Sequence, residues 1–485
     1  MNKDGRRMSE ENEVHVVMLP WLAFGHMIPF LDLSIALAKF GIHVSYISTP
    51  QNIPRLPQIP PNLSQFIEFV PLPLPSLDSD PLPENAEATT DIPAERMDDL
   101  KIACDLLQEP IKNVIAEKSP SWIMVDFFHH WAVDIAQELD IPLIFFSIST
   151  ASTLVFFWSP EFLAGEGRRQ ARPSPANMMA PPDWVDFPSQ VACRNDHEAV
   201  VMHNQLYRTG ASGIEDAARL AKLIQGSHAL ALRSCVELEG DYLKVYSNIT
   251  GKPVFPVGCL PPAEKEEEEK RVVAEEPWSK IFDWLDKQEP TSVVFVGFGS
   301  EYKLQREEIH EIAYGIELSG LPFLFVVRKP DWAGDVDDQI LPPGFEARVA
   351  GRGVVQVGWA PQREILAHPS IGASLFHAGW TSVVEAMVHG HRLVLLPFII
   401  AQPLDSRLLV EKGLAVEVER GEDGSFTRNG IANALTKAMV SKEGETLRAR
   451  NKEAAKEIFA NKQLNNDYIK KFAEYLKNGI KENKL

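Results

Sequence analysis

The residues best equipped for chemistry stand together at His377-Ala378-Gly379-Trp380-Thr381-Ser382, after an apolar run at 373–376 and before a helix-period segment with Val383, Val384, Ala386 and Met387. Small residues where a strand gives way to a helix let backbone N–H groups approach a phosphate, and the positive end of the helix dipole favours its charge. His377, Thr381 and Ser382 add side-chain donors at the same point. Ser382 followed three residues later by Glu385 is also the pattern of an ordinary capping box, and spacing alone leaves both readings open.

A second constellation pairs His26, beside Gly25 in a loop after the first strand, with Asp126, directly after the apolar run 122–125. An imidazole titrates near ~6.5 in water, which suits proton abstraction at neutral pH. A lone loop histidine is more often a surface residue. Asp126 changes that weighing, because a carboxylate at the carboxyl edge of the same sheet can fix an imidazole tautomer and stabilise the imidazolium. The adjacent His129 and His130 diverge on any helix or turn, and no carboxylate spacing completes a metal site with them, so they are expected to line or support a pocket.

The elements that must position these residues follow an α/β rhythm. A strand is expected over 14–19, then a helix that can start at Pro29 and carries Phe30, Leu33 and Leu37 up to Gly41, then a strand over 44–48. Further strands are expected over 122–125 and 142–146. Pro256, Pro261 and Pro262 precede the run 264–270, which is too polar to pack and reads as a linker. The rhythm then restarts with a strand over 292–296, a helix over 306–319 and strands over 323–327, 354–357, 373–376, 393–396 and 414–418. A final helix is expected over 465–480, with no strand after it. Two doubly wound halves joined by an acidic linker are therefore predicted.

The 485 residues exceed what one hydrophobic core supports, about 250–300, so two domains are the natural division. A net charge of -19 without any Lys/Arg stripe excludes nucleic acid, whose phosphates require a basic surface. Cys104, Cys193, Cys235 and Cys259 form no C-x-x-C pair, which suggests neither zinc nor a disulfide framework and fits a reducing compartment. Residues 1–13 are polar and lack the apolar region of a signal peptide, so a cytoplasmic protein is expected and the sequons at Asn62 and Asn248 read as chance. The segment 141–160 carries no charge over a length that could span a bilayer, but its Ser/Thr content and terminal prolines fit a buried strand turning into a buried helix. No stable membrane insertion is expected.

Trp359-Ala360-Pro361-Gln362 opens a block of 44 residues that runs through the His377-x-Gly379-Trp380 core to Gln402. In length, opening and core this block resembles the signature box of the plant family-1 UDP-dependent glycosyltransferases. The resemblance covers nearly the whole chain, including Gly297-Phe298-Gly299-Ser300 and His26, and the stretch 19–30 is most similar to a subgroup that often extends sugars on existing glycosides. It implies a GT-B architecture, two Rossmann-like domains facing a cleft: an acceptor-binding domain at 1–255, a linker at 256–278, a UDP-sugar-binding domain at 279–464, and a helix at 465–485 docking back on the first half. By the same resemblance Trp359 stacks on uracil and the Ala360 backbone bonds the base edge, Gln362 and Glu385 hold the ribose hydroxyls, and Ser300, His377, Thr381 and Ser382 bind the diphosphate. Trp380, Ala401 and Gln402 would face the sugar, with Ser147 and Thr150 as further candidates, while His26 is the general base and Asp126 its orienting partner. The partners implied are a UDP-sugar donor and a small, largely apolar acceptor such as a triterpenoid, steroid or flavonoid glycoside. Neither metal nor further cofactor is implied, and the chain is expected to act as a monomer with inversion of configuration.

Three positions depart from the family pattern: Ala378 where Cys is common, Thr381 where Asn is common, and Ala401 where an acidic residue usually precedes the final Gln. A hydrogen bond to a charged group is worth roughly 1.5–3 kcal/mol, so losing that carboxylate would weaken glucose transfer about tenfold or more. The donor is then a sugar that does not need this carboxylate, such as UDP-rhamnose or UDP-xylose, or else the change is an engineered or relaxed one in a UDP-glucose enzyme. Other classes fit less well. A dinucleotide-binding oxidoreductase needs G-x-G-x-x-G, but Tyr302 holds the third glycine's place, and no G-x-S-x-G of an α/β-hydrolase is present. A UDP-sugar epimerase of the same architecture and a non-catalytic sugar-nucleotide binder stay as alternatives, separable by whether UDP release depends on an acceptor.

Overall fold

The computed structural model describes residues 13–77, 82–159, 172–262, 276–299, 301–330, 332–333, 340–399 and 401–482. The acidic run 264–270 and Ser300 lie outside them.

Runs such as Val16-Val17-Met18 and Phe323-Leu324-Phe325 are apolar on both faces and suit strands covered on both sides. Among the described residues they build two parallel sheets. The first contains β1 (His15–Leu19), β2 (His43–Ser48), β3 (Ile67–Pro71), β4 (Trp122–Val125), β5 (Leu143–Ser147), β6 (Ala229–Leu232) and β7 (Val254–Pro256), in the order β3-β2-β1-β4-β5-β6-β7. The second contains β8 (Val293–Gly297), β9 (Phe323–Val327), β10 (Gly353–Val357), β11 (Ile371–Phe376), β12 (Arg392–Leu395) and β13 (Ala415–Glu417), in the order β10-β9-β8-β11-β12-β13. Each order reverses once, between β1 and β4 and between β8 and β11. Such a switch point leaves a crevice at the carboxyl ends of the strands, where ligands bind.

Helix α1 (Phe24–Ala38) corrects the expected boundary: it begins ahead of Pro29, which lies inside it. A proline there forfeits a bond to the Gly25 carbonyl. The helix continues because Phe30, Leu31, Leu33 and Leu37 are buried beneath the sheet, and that packing outweighs the local cost. The uncharged segment behaves as expected, with β5 followed by a short buried helix α2 (Ala151–Phe157). Helix α3 (Arg306–Ser319) covers the second sheet. Three helices nearer the site follow: α4 (Gln362–Leu366), α5 (Trp380–Val388) and α6 (Gln402–Glu411). The last, α7 (Lys462–Glu482), crosses back to the first sheet, where Ile469, Phe472 and Leu476 pack with Phe30, Trp122 and Phe146. The Trp122 indole N–H donates to the Leu476 carbonyl at 3.0 Å. No helix among the described residues is long and apolar enough to cross a membrane.

A continuous apolar cluster joins the halves, running from Phe157, Trp158 and Tyr242 to Trp380, Val383, Leu404 and Leu408. Buried charges thread it. Arg407, fully buried, pairs with Glu198 at 2.8 Å and with Glu417. Asp405 Oδ1 accepts the hydroxyls of Thr150 at 2.8 Å and Thr153 at 3.1 Å. Burial pushes the Asp405 carboxyl up to about 8, and the nearby Glu239 adds to the rise against the pull of the two hydroxyls. Between the ordinary carboxylate value and about 8, the native state keeps a proton that the unfolded chain has released. Stability from this group is therefore full in acid and is lost as pH rises through about 8. Asp405→Asn is neutral throughout, so from about pH 5 to about pH 8 its melting temperature should gain on the parent's by several degrees in a calorimetric series. A gap that stays constant with pH would contradict this.

Candidate active site

The first switch point carries the histidine expected to act as the base. The chain leaves β1, turns through Pro20 to Ala23 and enters α1, so His26 lies in the helix's first turn rather than in a loop. Asp126 follows β4 and is buried, with its N–H donating to the Leu19 carbonyl at 3.1 Å. Its carboxylate accepts the Trp21 N–H at 3.0 Å and the Phe127 N–H at 2.7 Å, and Oδ2 lies 2.7 Å from His26 Nδ1. A carboxylate at Nδ1 places the neutral ring's proton there and leaves the Nε2 lone pair available. The imidazole is 23% exposed and packs beside Phe127. His129 and His130 take different partners: burial pushes His129 down to about 4 with its Nε2 facing the Cys104 thiol, whereas His130 Nδ1 lies 2.9 Å from the Arg219 guanidinium.

The second switch point carries a cradle of backbone and small side chains. After β11, Ala378 adopts a left-handed conformation at φ 65°, and Gly379 forms the N-cap of α5 without any side-chain cap. A left-handed alanine costs roughly 1–2 kcal/mol, a strain typical of sites where the backbone must face a ligand. The capping-box alternative fails, because Thr381 and Ser382 occupy the helix's first turn and Glu385 bonds elsewhere. The uncapped N–H groups of that turn point out of the helix as a ready anion site. His377 closes the cradle: a Cβ at Gly299 would come within 2.7 Å of its Cε1, and one at Gly379 within 2.5 Å of its Nε2. Burial pushes this imidazole down to about 4, so it is neutral at ordinary pH, and its buried Nδ1 has no partner among the described residues.

The other predicted residues gather around the cradle to different degrees. Gln362 Nε2 donates to Glu385 Oε2 at 2.7 Å, bringing the expected ribose pair together, and Arg363 Nε donates to Glu385 Oε1 at 3.2 Å. Trp359, after Gly358 at φ 108°, is 64% exposed and offers an open ring face. The Ala360 carbonyl accepts the Gln362 N–H at 2.8 Å. Trp380 is buried, and its indole N–H donates across the interface to the Arg233 carbonyl at 3.0 Å. Gln402 Oε1 accepts the N–H groups of Phe398 and Ile399 at 3.0 and 3.1 Å, so this oxygen holds the preceding loop, and Ala401 is the uncapped N-cap of α6. Thr150 is fully buried at the bond with Asp405, and Ser147 Oγ accepts the Ser149 N–H.

Three residues absent from the sequence reading complete the region. Arg233 follows β6 and reaches Thr381, Asp32 projects from α1, and Arg363 sits on α4. Burial pushes the Asp32 carboxyl up to about 6 while Arg363 and Arg233 pull it back, so charges of the two halves act on one another here. The Lys303 ammonium crosses as well, to the Ile92 carbonyl at 3.2 Å. The carboxyl edges of the two sheets thus face one cleft.

Comparison with known proteins agrees with this geometry. Residues 255–445 match the family described as UDP-glucoronosyl and UDP-glucosyl transferase, and residues 12–215 match the glycosyltransferase N-terminal domain. The chain is 39% identical to UDP-glycosyltransferase 91C1 of Arabidopsis thaliana over 96% of its own length and 97% of the relative's. It is also 39% identical to a soyasaponin III rhamnosyltransferase of Glycine max, over 96% of each chain. A crystal structure of a Glycyrrhiza uralensis glycosyltransferase complexed with glycyrrhetinic acid 3-O-monoglucuronide superposes with a TM-score of 0.78, covering 98% of this chain and 97% of that one at 24% identity, and so shares the fold. With both switch points facing one cleft and relatives matching from end to end, the chain belongs to the plant family-1 UDP-dependent glycosyltransferases, GT-B enzymes that move a sugar from a UDP-sugar to an acceptor.

Proposed function

We propose that this enzyme transfers a rhamnosyl group from its UDP-sugar to a sugar hydroxyl of an apolar glycoside, by direct displacement with inversion at the anomeric carbon. The observation that carries this reading is Ala401. The segment Pro397-Phe398-Ile399-Ile400-Ala401 after β12 offers no side-chain acceptor, and the Gln402 carboxamide oxygen is already taken by two backbone N–H groups. A sugar hydroxyl pressed against such a surface loses water without regaining a partner, at roughly 1–3 kcal/mol. The methyl group of a deoxy sugar loses nothing there. The Glycine max relative, named for rhamnosyl transfer to a saponin, supports the same donor and a glycoside acceptor.

In this mechanism uracil stacks on Trp359, and the ribose hydroxyls donate to Glu385 beside Gln362. His26 Nε2 takes the acceptor proton while Asp126 stabilises the imidazolium through Nδ1. The acceptor oxygen bonds to the anomeric carbon from the face opposite UDP, and the breaking C–O bond passes its electrons to the diphosphate. That charge meets the N-terminus of α5, Thr381, Ser382 and neutral His377, with Ser300 assigned to the same task. Preorganised donors aimed at developing charge commonly do most to lower such a barrier.

Two outcomes test this. His26→Ala and Asp126→Asn should each lower kcat by about 10²–10⁴-fold while changing UDP affinity little, the second because the imidazole adopts the wrong tautomer. Equal losses in UDP affinity would place both residues outside the chemical step. Ala401→Asp should move donor preference toward UDP-glucose by about tenfold relative to UDP-rhamnose and UDP-xylose, since the carboxylate restores a charged acceptor. An unchanged ranking of the three donors would remove the basis for assigning rhamnose.

A further inference from the structure

Arg233 is the first residue after β6, and only 1% of it is exposed, where the carboxyl edges of the two sheets meet. Nε donates to the Cys259 carbonyl at 2.9 Å, Nη2 to the Leu260 carbonyl at 3.1 Å, and Nη1 crosses to Thr381 Oγ1 at 2.8 Å. The residue's own carbonyl accepts the Trp380 indole N–H. The guanidinium is therefore fixed on several sides, and the three groups that accept its hydrogen bonds are all neutral.

That arrangement is expensive for a buried cation, which needs a counter-charge. The carboxylates that act on it, Asp32 on α1 and Glu385 on α5, do so electrostatically, and Arg363 opposes them. Glu385 is itself bonded by Gln362 and Arg363. Arg233 also stands at the positive end of the α5 dipole, where a cation is disfavoured. The two guanidiniums and the two carboxylates balance in formal charge, so the positive end of the α5 dipole is left without a counter-charge. A dianionic ligand at that helix end would supply it.

The contact with Thr381 has a directional consequence. A hydroxyl has one proton and two acceptor lone pairs. Because the guanidinium donates to the oxygen, the Thr381 proton must point to another acceptor, and a cation on the oxygen makes that proton a stronger donor. An asparagine, which is common at this position in the family pattern, would offer an amide instead.

We propose that Arg233 is a positioning residue for the donor diphosphate, supplied by the N-terminal half: it turns the Thr381 hydroxyl toward the phosphates and fixes a positive charge where UDP becomes negative as it leaves. This rests on the reading that Thr381 and Ser382 bind the diphosphate. Stabilising a leaving diphosphate by a cation is a task often given to a metal ion. It also makes donor affinity in one half depend on the placement of the other.

The test is calorimetric titration of the full chain with UDP and, separately, with uridine, which lacks the diphosphate. Arg233→Met and Thr381→Val should each weaken UDP about tenfold and leave uridine unchanged, since a charge-assisted bond is lost. The double variant should be no weaker than the weaker single variant, because both changes break one interaction. Arg233→Lys keeps the charge without the planar fork and should recover part of the UDP affinity; it serves in place of the methionine variant if that one fails to fold. Ser382→Ala, which does not touch Arg233, tests the underlying site and should also weaken UDP relative to uridine. If Ser382→Ala does so while the Arg233 variants leave UDP unchanged, or weaken UDP and uridine alike, the role of Arg233 is refuted and the site stands. If Ser382→Ala leaves UDP unchanged as well, the diphosphate site is misplaced and the inference falls with it.

Discussion

A parallel sheet can open a crevice at its carboxyl edge only where its strand order reverses, and each sheet of this enzyme does so once. His26 and Asp126 follow β1 and β4, the strands on either side of the first reversal. Gly299 and His377 follow β8 and β11, on either side of the second. The proposed acid–base pair and the proposed anion cradle thereby occupy different halves, and the proposed reaction requires the two edges to meet. The bond of 2.7 Å between His26 and Asp126 needs β1 and β4 in register, and that register is the backbone pairing of Leu19 with Val125. The site is thus a by-product of sheet topology before it is a property of any side chain.

The interface that brings the edges together contains buried polar groups. Arg407 with Glu198 and Glu417, Asp405 with Thr150 and Thr153, and Arg233 with Thr381 all lie within or beside an apolar cluster. Well-packed apolar residues would often stabilise such an interface as well or better. What the polar contacts add is direction: those that cross, Arg407 with Glu198, Asp405 with Thr150 and Thr153, and Arg233 with Thr381, are satisfied in one relative placement of the halves, whereas apolar contacts tolerate sliding. The donor cradle uses the same economy, with glycine at 299 and 379 leaving room for His377 and no side-chain cap competing for the first-turn N–H groups of α5.

Much of this is legible in the sequence, and the exceptions have physical causes. Strands with β-branched or aromatic runs, such as β4 and β9, stand at their expected bounds, whereas the alanine-rich β6, the three-residue β7 and β3 lack a periodic signal and are not foreseen. The donor motif stands out because 377–382 compresses a strand end, a turn and a helix start into one segment, so local spacing carries the geometry. Spacing does not decide which residue caps the helix, and with Gly379 in that place Ser382 moves inside the first turn. Arg233 is hidden because its partner is 148 residues away; the available signal is an arginine placed directly after a fully apolar strand. Trp380 and Gln402 are expected to face the sugar, yet the bonds of the Trp380 indole N–H and the Gln402 carboxamide oxygen run to backbone groups.

The proposed reaction joins a UDP-sugar on one edge of the cleft to an acceptor hydroxyl on the other without passing through a free sugar or a sugar–enzyme bond. It is tested most directly by following UDP release from UDP-rhamnose in the presence of a chelator, with and without an apolar glycoside, and reading the product's anomeric configuration by NMR. Direct displacement should give one UDP for each glycoside consumed, negligible release without acceptor, and a configuration opposite to the donor's. UDP released equally fast without acceptor, or a product that retains the donor's configuration, would contradict it.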